Sequence, residues 1–592
     1  MMMHLFYKRI HIIVPTILLI IFTFTKNFDS PYDRTIASDV VGYYAYLPAI
    51  FIYHDLSFDF TKQISEKYYV DGRAGKYEFI NYYREKGVNK YWIGLSILWL
   101  PFFLMAHFLS YLLGYDADGY NCIYQYSIGF ATCVYLGLGI YFFRKNVEHF
   151  TQKYNIAIAT VLAIIFGTNI FYYAIVEPGH SHVYSFTFLS VFISSIIKIN
   201  KQEKVNFKIY VTAICVATIV VLIRPLNLFL LLFSLLFIIE TKHIKRIWNE
   251  YFSNKFISIL LPAIPVFFLF LQSALWHKQT SFWLLDSYAG ERFNLSVPHF
   301  LDFIFSYKKG WLTYTPICLF SMYGIVLYYK HNLYKLLFCS AILFGWIYVL
   351  SSWWIWTYGT SYGQRLMIDA LPLLGIFMAI SFEWIYNRYR IVLFVLITTF
   401  ISLNVFQTWQ QKNGILPSYF VTKSIYWRSF FSTQKHAYAL YSSEMLLEKV
   451  QKKYSLKGNS YIQTSEHNDS ETSAYAEHNY SIAIVDTIPR AYLYGVNKII
   501  FESEISCNRK QTEAAIVFDI SRRGKNMSYQ KFDVKDYVVE NKFEEMNFMI
   551  DVPNNLLKGD LLTVYLYNPT QSIDKATMKK VCLTYIKLVK DE

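Results

Sequence analysis

The residues able to do chemistry in this 592-residue chain are carboxylates, histidines and arginines placed at the edges of long apolar runs. Asp39 stands in Ser38-Asp39-Val40-Val41-Gly42-Tyr43-Tyr44, directly after the first such run. A carboxylate there either caps a helix by accepting the free N–H groups of its first turn or serves a site, with Tyr43 and Tyr44 as the aromatic surface beside it. Glu177, His180 and His182 share one short loop. They offer a divalent metal three ligands, or they are hydrogen-bonded side chains at an interface. Arg224 precedes Pro225 inside an apolar stretch, Lys308 and Lys309 lie in a long polar loop, and Trp354, Tyr358, Gln364 and Arg365 lie in another. The Arg365 guanidinium is a planar fork suited to phosphate, and the tryptophans suit either interfacial anchoring or a binding platform.

The elements that carry these residues follow from composition. The chain is 54% hydrophobic and 17% charged, and its apolar runs of roughly 15 to 23 residues match a ~30 Å hydrocarbon core. This is the pattern of a polytopic membrane protein. The net charge of +14 is no nucleic-acid footprint, because Lys and Arg gather in short loops between apolar runs, where cytoplasmic loops carry them. The 52 Tyr and 50 Phe exceed what packing requires and suit both interfacial belts and a surface that stacks on sugar rings. Of seven cysteines only Cys507 and Cys582 fall in the polar tail, where a disulfide depends on a closeness that sequence does not give. No CxxC or zinc spacing occurs.

Eleven spans are expected: 10–24, 121–143, 154–173, 183–199, 209–223, 226–239, 256–276, 312–329, 336–350, 366–382 and 391–406. Basic loops at Arg144, Lys201, Lys245, Lys330 and Arg388 then all fall on the cytoplasmic side with the N-terminus. Tyr91–Leu113 is apolar and long enough to cross, but a crossing there would turn the Arg144 loop outward. Pro101 interrupts it, so a re-entrant or in-plane element is expected, with twelve spans as the alternative. Arg224-Pro225 reads as a break between two short helices, or as a turn with a snorkelling arginine. The fold class is thus an α-helical polytopic membrane domain over 1–410. A transition and linker over 411–478 and a jelly-roll-like all-β sandwich over 479–592 follow it, the latter from alternating runs such as Ala515-Ile516-Val517-Phe518-Asp519.

With this topology Asp39, the Glu177–His182 loop, Arg224, Lys308 and Lys309, and the loop ending at Arg365 all face outward. An acidic residue after the first span, aromatic in-plane segments, an Arg-Pro helix break and the outer loop Tyr358-Gly359-Thr360-Ser361-Tyr362-Gly363-Gln364-Arg365 together resemble the GT-C class of polyprenyl-phosphate-sugar-dependent glycosyltransferases. That group includes protein mannosyltransferases and aminoarabinose transferases. The resemblance covers about residues 1 to 410, with segments akin to those of a Bacteroidetes-type branch. It differs in one respect: many relatives carry two adjacent acidic residues where Asp39 is followed by Val40.

The resemblance implies an inverting transfer from a polyprenyl-phosphate-linked sugar to a glycan, lipid or protein acceptor, at the outer face of a bacterial inner membrane, with the β domain periplasmic. Asp39 is then the general base, and Arg224, Arg365, Lys308 and Lys309 the contacts to the donor phosphate. Tyr43, Tyr44, Glu177, His180, His182, Trp354, Tyr358 and Gln364 line the substrate or acceptor side. No cofactor is assigned with certainty, and a divalent metal is the one that the residues leave open. The lipid bilayer is a partner and nucleic acid is not. An O-antigen ligase or polymerase and a non-enzymatic transporter or flippase are the rival readings. Transporters usually pair their broken helices in inverted repeats, and Arg224-Pro225 has no second copy.

Overall fold

A computed structural model describes residues 2–28, 33–69, 79–83, 86–151, 153–201, 206–253, 255–288, 291–359 and 361–417 of the chain, then 421, 423–434, 461–467, 472–474, 484–487, 496–508, 514–522, 525–534, 541, 543–551, 560–567 and 575–587. It divides into two compact units, Met1–Lys412 and Asn413–Glu592.

The first unit is helical because hydrocarbon offers no partner for an open backbone group, so each apolar run satisfies its own. Its helices are α1 (Met2–Thr25), α2 (Asp39–Phe51), α3 (Thr61–Tyr68), α4 (Gly94–Leu112), α5 (Cys122–Phe150), α6 (Tyr154–Gly167), α7 (Ile170–Ile175), α8 (Ser181–Lys201) and α9 (Phe207–Ile223). They continue as α10 (Leu228–Ile238), α11 (Thr241–Ser253), α12 (Lys255–Thr280), α13 (Phe300–Phe305), α14 (Trp311–Tyr314), α15 (Leu319–Tyr329), α16 (Leu333–Ser351) and α17 (Leu371–Lys412), with a short hairpin of β1 (Ile80–Tyr83) and β2 (Lys86–Asn89) before α4.

Among the described residues seven helices are long and apolar enough to cross a membrane, and three shorter apolar helices join them. The chain is a multi-pass membrane protein. Helix coincides with each of the eleven expected spans. The 42 residues of α17 would reach about 63 Å at 1.5 Å per residue, twice the hydrocarbon thickness. Tyr389, at φ −141° and ψ 57°, breaks it into two legs beside the basic pair Arg388 and Arg390.

Pro101 does not interrupt α4, which is one helix long enough to cross. It runs antiparallel beside α5: Asn121 bonds Ser110, and the Ser127 and Tyr135 hydroxyls donate to the Phe102 and Leu98 carbonyls. Helices α1 and α5 run antiparallel, with Phe22 against Gly129 near the start of α5, and Tyr7 bonded to Glu148 near its finish. The start of α5, which α4 feeds, therefore lies beside the end of α1. Gly94, which opens α4, presses on the backbone of Leu222 at the end of α9. The last leg of α17 returns to the same end, where the Lys412 ammonium donates to the Thr25 carbonyl.

The second unit opens with α18 (Lys423–Ser429) and then forms strands β3 (Tyr461–His467), β4 (Thr472–Ala474), β5 (Ile484–Thr487), β6 (Val496–Cys507), β7 (Ala515–Arg522), β8 (Lys525–Asp533), β9 (Glu544–Asp551), β10 (Leu561–Tyr567) and β11 (Ala576–Lys587). They make two antiparallel sheets, ordered β5-β10-β7-β8 and β3-β11-β6-β9, with β4 also on β11. Phe501, Phe518, Leu562, Val564, Met578 and Leu583, drawn from both sheets, pack into one buried core. Strands β3 and β4 fall where the polar segment 452–478 reads as linker. A strand at a sheet edge is held by its backbone ladder and needs no apolar alternation, so Tyr461-Ile462-Gln463-Thr464-Ser465-Glu466-His467 gives little signal. Register also separates the tail cysteines: Cys507 faces Ala576 and Cys582 faces Glu502, about five residues apart on neighbouring strands. At ~3.4 Å per residue that exceeds disulfide reach of ~7 Å between Cα atoms. The turns expected at Gly559 and at Asn568-Pro569 lie outside the described residues, as does most of the expected linker.

Candidate active site

The site is built where α2 begins, α8 begins and α9 ends. Ser38, with φ 53° in the left-handed region, turns the chain into α2, and Asp39 becomes the first helical residue. Its carboxylate is not used as a cap. Oδ1 accepts from the Tyr91 hydroxyl at 2.8 Å, and Oδ2 accepts from Arg365 Nη2 at 2.6 Å. Gly42 makes the first contact possible: a Cβ there would sit 2.3 Å from Tyr91 Cδ2, so only glycine lets that ring lie against α2.

Arg365 arrives from the loop that closes with Gly363 at φ 57°, in the short 3₁₀ turn Arg365–Ile368. Its Nη1 lies 3.3 Å from His180 Nδ1, and His180 Nε2 is 3.4 Å from Glu177 Oε2. Glu177 Oε1 accepts from the Tyr172 hydroxyl at 3.0 Å. One charged chain thus runs Asp39, Arg365, His180, Glu177, Tyr172. A second stands beside it. Arg224, in extended conformation at the break after α9, directs Nη1 to Ser181 Oγ at 3.3 Å and His182 Nε2 at 3.5 Å, and its Nε lies 3.6 Å from Asp369 Oδ2. His182 Nδ1 is 2.9 Å from Asp369 Oδ1, and both side chains are fully buried. Tyr43 reaches Ser181 Oγ at 3.4 Å, and the buried Lys309 ammonium donates to the Ser361 carbonyl.

Electrostatics set these groups apart. Burial disfavours the Asp39 carboxylate, but the Arg365 guanidinium, His180 and the Tyr91 hydroxyl outweigh it and hold its pKa well below the usual carboxylate range. Glu177 is held down in the same way, burial being overcome by its bonds from His180 and Tyr172. Burial pushes the Lys309 ammonium down to about 7, against the pull of Glu177. What an incoming ligand reaches is limited: side-chain exposure is 31% at Glu177, 25% at Asp39, 20% at Arg224 and 10% at Arg365.

Asp39, Arg365, His180, Glu177, Arg224, His182 and Tyr43 are therefore brought together, with Lys309 on the same loop system. Tyr44 is turned away, its hydroxyl on the Gly119 carbonyl in the packing between α2 and α4. Trp354 is 55% exposed, with its backbone N–H on the Arg292 carbonyl. Tyr358 donates to the Leu350 carbonyl, Gln364 to the Trp356 carbonyl, and the half-buried Lys308 donates its backbone N–H to the Ser306 hydroxyl. Asp369 and Tyr91 complete the site without having been singled out from sequence. Asp369 hides inside an apolar run, and its one signal is its place four residues, about one turn, after Arg365. No group of three or more His, Cys, Asp or Glu among the described residues is arranged to hold a metal ion, so Glu177, His180 and His182 do not form a metal centre.

No family model and no curated protein matches the chain. Solved structures that match include the cryo-EM structure of arabinosyltransferase EmbB from Mycobacterium smegmatis, at a TM-score of 0.28 and 11% identity. The match covers 78% of this chain, which spans only 57% of that one. At that distance it assigns neither activity nor substrate.

Proposed function

We propose that this protein is an integral membrane glycosyltransferase that moves a sugar from a polyprenyl-phosphate donor to an acceptor hydroxyl on the extracytoplasmic face of a bacterial inner membrane, with inversion. The observation that carries the reading is the contact of Asp39 with Arg365 beside a second reachable guanidinium, Arg224, at one end of a membrane helix bundle. Glycosyl transfer from a lipid phosphate needs little else. As the acceptor oxygen attacks the anomeric carbon, its proton passes to the Asp39 carboxylate. The carbon–oxygen bond to phosphate breaks with its electron pair going to the phosphate, whose growing charge the two arginines and Lys309 stabilise.

Paired as it is, Asp39 is a weak base. A donor phosphate that competes for the Arg365 fork removes the group that depresses its pKa most, so donor binding and base activation are linked. Tyr43 and Tyr91, ring against ring, and Tyr173, edge-on to His180, supply aromatic surface around the reacting groups, and the acceptor is a glycan, lipid or protein hydroxyl. The test is to delete the gene and weigh the cell-envelope glycolipids and glycoproteins. One sugar is expected to be missing, restored by the wild-type gene and not by Asp39→Asn. An unchanged envelope removes the proposal.

A further inference from the structure

We infer that an anion bound at Arg224 draws a proton onto the buried Asp369–His182 pair, so that phosphate binding in this protein is proton-coupled. The inference rests on the proposed reading of Arg224 as a phosphate contact. It goes beyond that reading in giving Asp369 a role.

Arg224 is the more exposed of the two site arginines, and Asp369 lies directly behind it at 1% exposure. Asp369 Oδ1 is engaged with His182 Nδ1 at 2.9 Å, while Oδ2 makes no hydrogen bond among the described residues and has the Arg224 Nε at 3.6 Å. A buried carboxylate oxygen without a donor depends on its counter-ion. The groups facing Asp369 are Arg224 at the end of α9, Arg365 from the 3₁₀ turn, His182 on α8 and Asn227 from the turn after Arg224. Tyr43 on α2 and Tyr288 flank Arg224 from the other side, His180 stands beyond His182, and Lys309 lies toward Glu177 and Arg365.

When a phosphate occupies the exposed edge of Arg224, one guanidinium serves two anions. Two like charges roughly 7 Å apart at an effective dielectric of about 20 repel by more than tenfold in binding constant. Protonating Asp369 removes that repulsion and gives Oδ2 or the dyad the missing hydrogen. Asp369 lies ahead of the span that begins at Leu371, and burial already pushes its pKa up to about 7, against the pull of Arg224. Burial thus favours its protonated form before any ligand arrives. The proton comes from solvent on binding and returns to it when the anion leaves.

The experiment uses the full chain in detergent and a farnesyl methyl phosphodiester, whose single negative charge does not change between about pH 6 and 9. Titration calorimetry in two buffers of different ionisation enthalpy counts protons, and affinity is followed across that range. The wild type is expected to take up a large part of one proton near pH 7.5 and to bind up to tenfold more tightly per unit fall in pH. Asp369→Asn should lose at least half of the uptake, and Arg224→Met should bind weakly without it. Binding by the wild type with no proton uptake overturns the inference and leaves the transferase reading standing. Undiminished uptake by Asp369→Asn, or tight proton-coupled binding by Arg224→Met, overturns the assignment to this pair. Failure of the wild type to bind the diester overturns the phosphate site itself.

Discussion

Asp39 and Arg365, 326 positions apart in sequence, meet with Oδ2 and Nη2 at 2.6 Å. The pair fixes the carboxylate at the start of α2 against the loop that closes the bundle, and the same guanidinium continues to His180. One side chain thus holds both the proposed base and the head of the charged chain that ends at Glu177.

Arg365→Met leaves Asp39 without its cation. Because Asp39 keeps partial exposure, the cost at neutral pH is about 2 kcal/mol, less than for a fully buried pair. The sign follows from the depressed pKa: the stabilisation is complete above the ordinary carboxylate value of ~3.9 and is lost as pH falls through the lower folded value. Thermal denaturation at pH 7 should show the deficit, and the gap between variant and wild type should narrow below about pH 4. Arg365→Lys keeps the charge without the fork, cannot span Asp39 and His180, and should cost about 10²-fold in kcat/KM while recovering most of the stability.

Lys309 titrates in the opposite sense. Its folded pKa is depressed to about 7, whereas an unfolded lysine holds its proton to ~10.4, so between these values the unfolded chain binds the extra proton. Folding stability attributable to this group therefore rises with pH from about 7 to 10, by up to about 1.4 kcal/mol per unit. Lys309→Met should abolish that rise, read as melting temperature against pH for the two proteins side by side. Parallel curves would show that the lysine is not buried as described.

Gly42→Ala sets a methyl group against the Tyr91 ring and should displace the hydroxyl from Asp39, with an overpacking cost of about 1–3 kcal/mol. Tyr91→Phe removes the same hydrogen bond without the clash. If the Gly42 effect on transfer runs through Asp39, both variants lose activity to a similar degree and Gly42→Ala, which adds the clash to the lost hydrogen bond, loses more stability. A normal rate for Tyr91→Phe assigns the glycine to packing alone.

The spans, the break after Ile223, the two legs meeting beside Arg388 and the alternation in β10 were legible, because each depends on local period or on a local breaker, whereas β7 is buried at four consecutive positions, Ala515 to Phe518, and does not alternate. The role of Pro101 was not legible: within a helix a proline need not end it, and the side-by-side run of α4 and α5 is a tertiary contact that no local pattern encodes. The polar loops between the spans were legible as a group, but the partner of each side chain was not. Gln364, next to Arg365, turns to the Trp356 carbonyl, and Trp354 in the same loop is exposed. Asp369 was hidden because a single carboxylate in an apolar run reads as part of the span, and its meaning appears only when His182 and Arg224 stand beside it.

The central claim is that Asp39 takes the acceptor's proton. Asp39→Asn keeps the shape but loses the charge, leaves one amide oxygen to accept from Arg365, and cannot serve as the base. In proteoliposomes supplied with a polyprenyl-phosphate sugar accepted by the wild type, the variant is expected to transfer at least about 10²-fold more slowly, with a melting temperature lowered no further than that of Arg365→Met. Transfer by Asp39→Asn at the wild-type rate would contradict the account.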